Sequence, residues 1–258
     1  MSEPETLSDL QREHKPAPRS RLSKPAGEAD EHSAVRNYVR DLILGFNDGL
    51  VSVYAVVAGV AGAGLATRQI LVAGVAAATA GALSMGLGEY ISTKSQAEYY
   101  ANEAQREREH IRKYPKLERE ELLEMLEKKQ YPAAMVAPLA DHIMASEDRF
   151  VDFMMREEFG VGEESERSPF VAMGLVMLAF VVGAVLPLIP FFFVGPDATR
   201  TGLLAASALA LLGLFAAGAL KAMTSGLKPW KSGFEMVALG AAAAAITYGV
   251  GLLFHVVV

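Results

Sequence analysis

The chain has 258 residues, a formal net charge of −6, 52% hydrophobic residues and no cysteine. A negative chain without a concentrated basic face excludes a nucleic-acid-binding surface. The absence of thiols excludes disulfide frameworks, thiolate metal centres and cysteine nucleophiles, so a metal ion here must take oxygen, nitrogen or thioether ligands.

Residues 1–35 are rich in proline, serine and charge and lack the apolar stretch of a cleaved signal peptide. They predict a disordered cytosolic tail, with His14 and His32 solvated rather than bound to metal. Charge is segregated beyond this point: residues 170–196 and 201–220 contain no Asp, Glu, Lys or Arg. Each run, coiled as a helix, can cross a hydrocarbon core about 30 Å thick. Their Ala, Leu, Val and Gly content without period-two alternation predicts helices rather than barrel strands. Five membrane helices follow, at about 38–61, 69–92, 169–194, 201–222 and 232–255. An odd number puts the termini on opposite sides. Arg36 and Arg40 before the first helix, and Lys221, Lys228 and Lys231 around the fourth connection, outweigh Arg68 and Arg200 in the other short loops. The bias predicts a cytoplasmic N-terminus and a C-terminus outside. Without a targeting peptide the chain reads as a bacterial plasma-membrane protein, a topology that a vacuolar protein would share.

Small residues crowd the first two spans, at Ala58, Gly59, Gly62 and Gly64 and at Gly74, Ala78, Gly81 and Ala82. They allow close helix approach in lipid, whether for packing alone or to line a path. Pro187 and Pro190 predict a kink in the third span.

The one long insertion, residues 93–168, holds 18 of the 30 acidic residues. Tyr114-Pro115 and Tyr131-Pro132 break it into three predicted helices, 96–113, 116–130 and 138–159, the last ended by Gly160 and Gly162. The fold class is therefore an all-α membrane protein, with spans in 36–92 and 169–258 and a three-helix cytoplasmic domain between them.

Two carboxylates of the first span stand out, because a charge inside the bilayer costs roughly 2.5 to 3.5 kcal/mol on insertion scales. Asp41 lies near the cytoplasmic end, where it either pairs with Arg36 or Arg40 or serves an ion path. Asp48 lies two turns deeper. Seven residues apart, the two project from nearly the same face. On the second span Met85 and Glu89 share a face, Met85 as filler or as a thioether ligand beside the carboxylate. A mixed thioether and carboxylate set suits Fe²⁺ better than Ca²⁺ or Mg²⁺.

In the insertion, Glu103 and Glu107, Glu118 and Glu121, and Glu120 and Glu124 fall at helical spacing, where like charges repel unless neutralised. They form either a solvated face interspersed with arginines or an ion-binding one. Met154, Met155 and Glu158 repeat the pairing of thioether with carboxylate. Enzyme templates find no purchase: the chain has no Walker loop, nucleophile elbow or His-Glu-x-x-His. Glu107 and His110 make a lone Glu-x-x-His, where a di-iron centre needs two.

The segments Asp41-Leu-Ile-Leu-Gly-Phe-Asn-Asp48-Gly-Leu, Gly81-Ala-Leu-Ser-Met85-Gly-Leu-Gly-Glu89-Tyr-Ile-Ser and Asp152-Phe-Met-Met-Arg-Glu-Glu158 resemble the vacuolar iron transporter family. The resemblance spans about residues 36–257. It implies a homodimer of five-helix subunits that moves Fe²⁺, often also Mn²⁺, out of the cytosol in exchange for protons, along a path lined by the first helices. By matching position it implies Asp48 and Met85 as transport ligands and Asp41 nearer the entrance. Glu107, Glu118, Glu121, Met154 and Glu158 become ligands of the cytoplasmic domain. Two positions depart from the pattern: His110 stands where the family has a second Glu, and Asn37 where some members have an acidic residue. No ferritin-like stretch precedes the first helix.

The expectation is a transporter, not an enzyme, embedded in a lipid bilayer. It has no prosthetic group and takes Fe²⁺ as cargo, with Mn²⁺, Co²⁺ and Zn²⁺ as further candidates. The alternative is a membrane-anchored metal buffer or sensor that binds ions without moving them.

Overall fold

A computed structural model describes residues 26–159, 167–226 and 228–257, with backbone alone for 26–37, 224–225 and 256–257. Among the described residues the regular structure is helical throughout. It comprises α1 (Ala26–Gly62), α2 (Thr67–Lys113), α3 (Pro115–Lys128), α4 (Ala133–Met144), α5 (Glu147–Glu158), α6 (Pro169–Leu188), a 3-10 turn (Ile189–Phe192), α7 (Thr199–Ser225) and α8 (Pro229–Val257). Five helices are long and apolar enough to cross a membrane: the Tyr38–Gly62 part of α1, α2, Pro169–Phe192, Thr199–Met223 and Pro229–His255. Their outward faces carry Leu204, Leu212, Ile246, Leu253 and Phe254, all largely exposed. A continuous apolar exterior of this kind belongs in lipid.

Helix α1 is the hub, packing on α2, α6, α7 and α8. One stripe of it, Val53 and Val57, joins Ile70 and Ala82 of α2, Phe180, Ala184 and Leu188 of α6, and Ala206 of α7. Another stripe, Leu50, Tyr54 and Ala58, meets Ala210 and Leu214 of α7 and Ala244 of α8. Lipid tails are as apolar as leucine, so helices associate here through close contact rather than hydrophobic transfer. The α1–α6 seam shows this most clearly. A Cβ on Gly49 would come 2.1 Å from the Phe180 carbonyl oxygen, and one on Gly183 would come 2.1 Å from that of Phe46.

Several boundaries differ from the sequence expectation. Helix α1 starts at Ala26, inside the expected disordered tail; residues 1–25, including His14, lie outside the described residues. Helix α2 does not stop at residue 92 but runs 47 residues to Lys113. At 1.5 Å per residue it is about 70 Å long, more than twice the hydrocarbon thickness. The expected helix 138–159 is two helices. Pro138 lies inside α4, and Ser146 caps α5 by accepting a hydrogen bond from the Arg149 backbone NH. The acidic unit is thus the projecting end of α2 plus three short helices. They close on a core of Leu122, Leu126, Val136, Ala140, Ile143, Phe150 and Met154, with Ile111 of α2 against it. Helix α6 keeps Pro187 within it and gives way to the 3-10 turn that contains Pro190.

The α1–α6 seam predicts that Gly49→Ala or Gly183→Ala, each driving a methyl into a backbone carbonyl, destabilises the bundle by about 1–3 kcal/mol. Gly174→Ala, where nothing lies within 4 Å of the added carbon, should stay within about 1 kcal/mol of the parent. Melting midpoints of the purified protein in detergent check both.

Candidate functional site

At the junction of α1, α2 and the residues leading into α6, one buried cation meets two carboxylates. Asp41 is 2% exposed and Arg167 is 9% exposed. Arg167 Nη2 donates to Asp41 Oδ2 and lies 3.7 Å from Glu89 Oε1. Thr93 Oγ1 donates to the same Glu89 oxygen at 3.0 Å. The guanidinium carbon sits 5.4 Å from the Tyr38 ring centroid, a cation–π arrangement. Arg40 approaches Asp41 at 3.8 Å, but its side chain is 66% exposed and mostly in solvent. Arg167 Nε is buried without a hydrogen-bond partner. Sequence reasoning gave Arg167 no role. Its signal was that it is the last basic residue before the charge-free α6 helix.

Asp48 lies in different surroundings. The helical register puts it about 20° around α1 from Asp41, yet it is exposed on the single chain and accepts a 3.4 Å hydrogen bond from Ser52. What differs is the cover, since Arg167 lies over Asp41. Met85 is half-buried against the cluster of Val53, Ala82 and Phe180. Glu89, one turn further along α2, turns to Arg167, so the structure brings Glu89 together with Asp41.

The second acidic group forms where the Tyr114-Pro115 break folds α3 back along α2. This sets Glu118 (3% exposed) beside Glu107 (7% exposed). His110 Nδ1 is 3.7 Å from Glu118 Oε1. Glu121 follows on α3, and Glu158 approaches from the end of α5. Arginines and lysines are spent on the rim: Arg112 on Glu147, Arg119 on Asp141, Arg108 on Asp148 and Lys129 on Glu157. Glu103 holds Arg106 through both its oxygens. Among the described residues, Glu107, Glu121 and Glu158 have no Lys or Arg at ion-pair distance, and Glu107 Oε1 is buried without a hydrogen-bond partner. Met154 is fully buried in the apolar core, and Met155 is 6% exposed. Among the described residues no three His, Asp or Glu side chains are already close enough to grip an ion.

Crowding shows in the protonation of this cluster. Burial, reinforced by the charges of Glu118 and Glu158, pushes Glu107 up from 4.5 to about 7. Burial also raises Glu118, with Glu121 adding to it, and raises Glu158, with Glu121 and Glu118 adding to it. A carboxyl whose folded pKa exceeds its unfolded one favours the folded state most at low pH, and that contribution disappears as pH rises through the folded value. The metal-free protein should therefore melt at progressively lower temperature between pH 4.5 and about 7 through Glu107. Glu107→Gln should flatten that slope, and a divalent ion added above it should restore the melting point. Differential scanning calorimetry across the range checks this.

Comparison with known proteins bears on the whole arrangement. The VIT family model matches residues 39–252, from the first span through the last. Vacuolar iron transporter 2 of Oryza sativa subsp. japonica is 34% identical over 220 residues, which cover 85% of this chain and 89% of the relative. Vacuolar iron transporter 1 of Arabidopsis thaliana is 33% identical over 219 residues, covering 85% and 87%. The vacuolar iron transporter of Toxoplasma gondii is 34% identical over 230 residues, covering 86% and 76%. Five apolar spans with an acidic helical unit between the second and third, matched over this length, identify the chain as a multi-pass membrane protein that belongs to the VIT family, a family of transporters and not of enzymes.

Proposed function

We propose that the chain moves Fe²⁺, and Mn²⁺ with it, out of the cytosol in exchange for protons. The observation that carries this reading is the single helix α2. It bears Glu89 near the membrane carboxylates and, further along, Glu107 in the acidic cluster, so one rigid rod joins a collector to a path. In this reading Glu107, Glu118, Glu121 and Glu158, with Glu103, His110, Met154 and Met155 around them, gather the ion. It then passes Asp41 and Glu89 to Asp48 and Met85. The ion substitutes for the protons that a crowded carboxylate cluster otherwise holds, which is the physical basis of an exchange. Thioether and carboxylate together favour Fe²⁺ over Ca²⁺ and Mg²⁺. Met154 has to turn out of its core position to take part.

Exposure of Asp48 on a lone chain supports a homodimer. A bare carboxylate facing hydrocarbon costs several kcal/mol, and a second copy of α1 laid along the first would enclose it. With the basic residues near the N-terminus on the cytosolic side, the acidic unit faces the cytosol and transport runs outward, across a plasma membrane or into a vacuole.

Liposomes containing the purified chain should take up Fe²⁺ and Mn²⁺, with Co²⁺ and Zn²⁺ as comparisons, and should show an opposing pH change. Asp48→Ala should reduce uptake to the level of empty liposomes. Binding without flux would instead support a membrane-anchored buffer, and unimpaired uptake by Asp48→Ala would remove the path proposed here.

A further inference from the structure

We infer that Arg167 is a tethered counter-cation, which holds the Asp41 and Glu89 carboxylates when no divalent ion is bound and must leave before one can bind. This rests on the transport reading and adds to it a residue that sets which ions enter.

Charge arithmetic is the first support. Two carboxylates with one buried guanidinium leave a single net negative charge, because Arg40 is mostly in solvent. A divalent ion on the same pair would balance it completely. A divalent ion together with Arg167 would leave an excess positive charge in a site of low dielectric, where unscreened charge is costly. The two occupants therefore exclude each other. A monovalent ion that replaced Arg167 would exchange one charge for one and gain nothing, whereas a divalent ion gains a charge. The device thus discriminates by valence.

Geometry is the second. A guanidinium locked in a structural role uses its planar fork on a carboxylate, making two parallel bonds. Arg167 instead engages through Nη2, bonded to Asp41 and 3.7 Å from Glu89, and buries Nε without a partner. Glu89 keeps a hydrogen bond from Thr93 that does not depend on Arg167, so that carboxylate stays oriented when the guanidinium departs. Arg167 also precedes the first residue of α6 and lies outside that helix. Its release is a local step that leaves the tight α1–α6 seam intact.

The test uses the full chain in liposomes with Mn²⁺ as the transported ion. Arg167→Gln should lower the half-saturating Mn²⁺ concentration by about tenfold, the usual scale of a coupling between mutually exclusive occupants. It should also lower the maximal rate, because release from the unshielded pair slows. Na⁺ should inhibit this variant and not the parent. A second measurement needs no variant: modification of Arg167 by an arginine-specific dicarbonyl, read by mass spectrometry, should increase when Mn²⁺ saturates the parent protein. An unchanged half-saturating concentration in Arg167→Gln, or modification that Mn²⁺ leaves unaltered, would overturn the inference and leave Arg167 a structural clamp. If Arg167→Gln does not fold, the modification result decides alone. Liposomes in which the parent moves no Mn²⁺ or Fe²⁺ overturn the transport reading and this inference with it, whereas flux with an unaltered half-saturating concentration overturns this inference only.

Discussion

A carboxylate inside an apolar bundle has to be balanced by something of opposite charge or by a proton, and much of this architecture follows from how each acidic group meets that condition. Asp41 and Glu89 meet it with Arg167, a side chain from the far end of the acidic insertion. Among the described residues Glu107 and Glu118 have no Lys or Arg at ion-pair distance, and burial, with the neighbouring carboxylates adding to it, makes them hold their protons more tightly. Asp48 is met, among the described residues of one chain, by a hydroxyl from Ser52. The three solutions differ in reversibility. A proton leaves Glu107 near neutral pH, a guanidinium on a side chain is displaced only by a competing cation, as inferred above for Arg167, and an uncovered carboxylate is open to whatever lies against it. A transporter of cations needs sites whose resident charge can be exchanged, which is the property the proposed path asks of these groups.

The rest of the bundle keeps those charges in place. Helix α1 can hold Asp41 at a buried junction because its glycines let α6 approach to backbone contact, which fixes where Arg167 emerges at the start of α6. Helix α2 carries Glu89, Thr93 and Glu107 on one continuous rod. The acidic unit and the membrane carboxylates are therefore joined by unbroken helix, and the breaks at Tyr114-Pro115 and Ala145-Ser146 lie within the unit itself, where they fold α3 and α5 back onto its core.

Much of this was legible in the sequence, for reasons that can be named. Two charge-free runs and three more apolar stretches with few charges, none with period-two alternation, read as helices of membrane length, so the five spans and the all-α class were legible. The acidic insertion announced itself by composition. Helix ends were harder. No Pro or Gly stands between Ser92 and Tyr114, so nothing stops α2 at the membrane surface, and its predicted end reflected polarity rather than a breaker. The split of 138–159 was encoded in Ser146 followed by Glu147 and Asp148, a cap with acidic residues in the first turn. Pro138 was misleading because it lies inside α4 rather than at a helix start. The partner of Asp41 could not have been found locally. Arg36 and Arg40 lie five residues and one residue before Asp41 on α1, but the cation that covers Asp41 is 126 residues away, and only the folded chain brings it there.

Asp41 and Asp48 also show why helical register alone is a weak guide to function. The heptad spacing sets both on one face, and that face reads as a continuous path. In the folded chain one is sealed by a guanidinium and the other is open, so on the proposed transport reading an ion would meet them as unlike sites, first a pair held by Arg167 and then a carboxylate exposed on the single chain. On that reading, return of Arg167 to Asp41 and Glu89 would put back one of the two positive charges that the departing ion takes away, so the electrostatics that select the ion on entry would also limit the cost of its release.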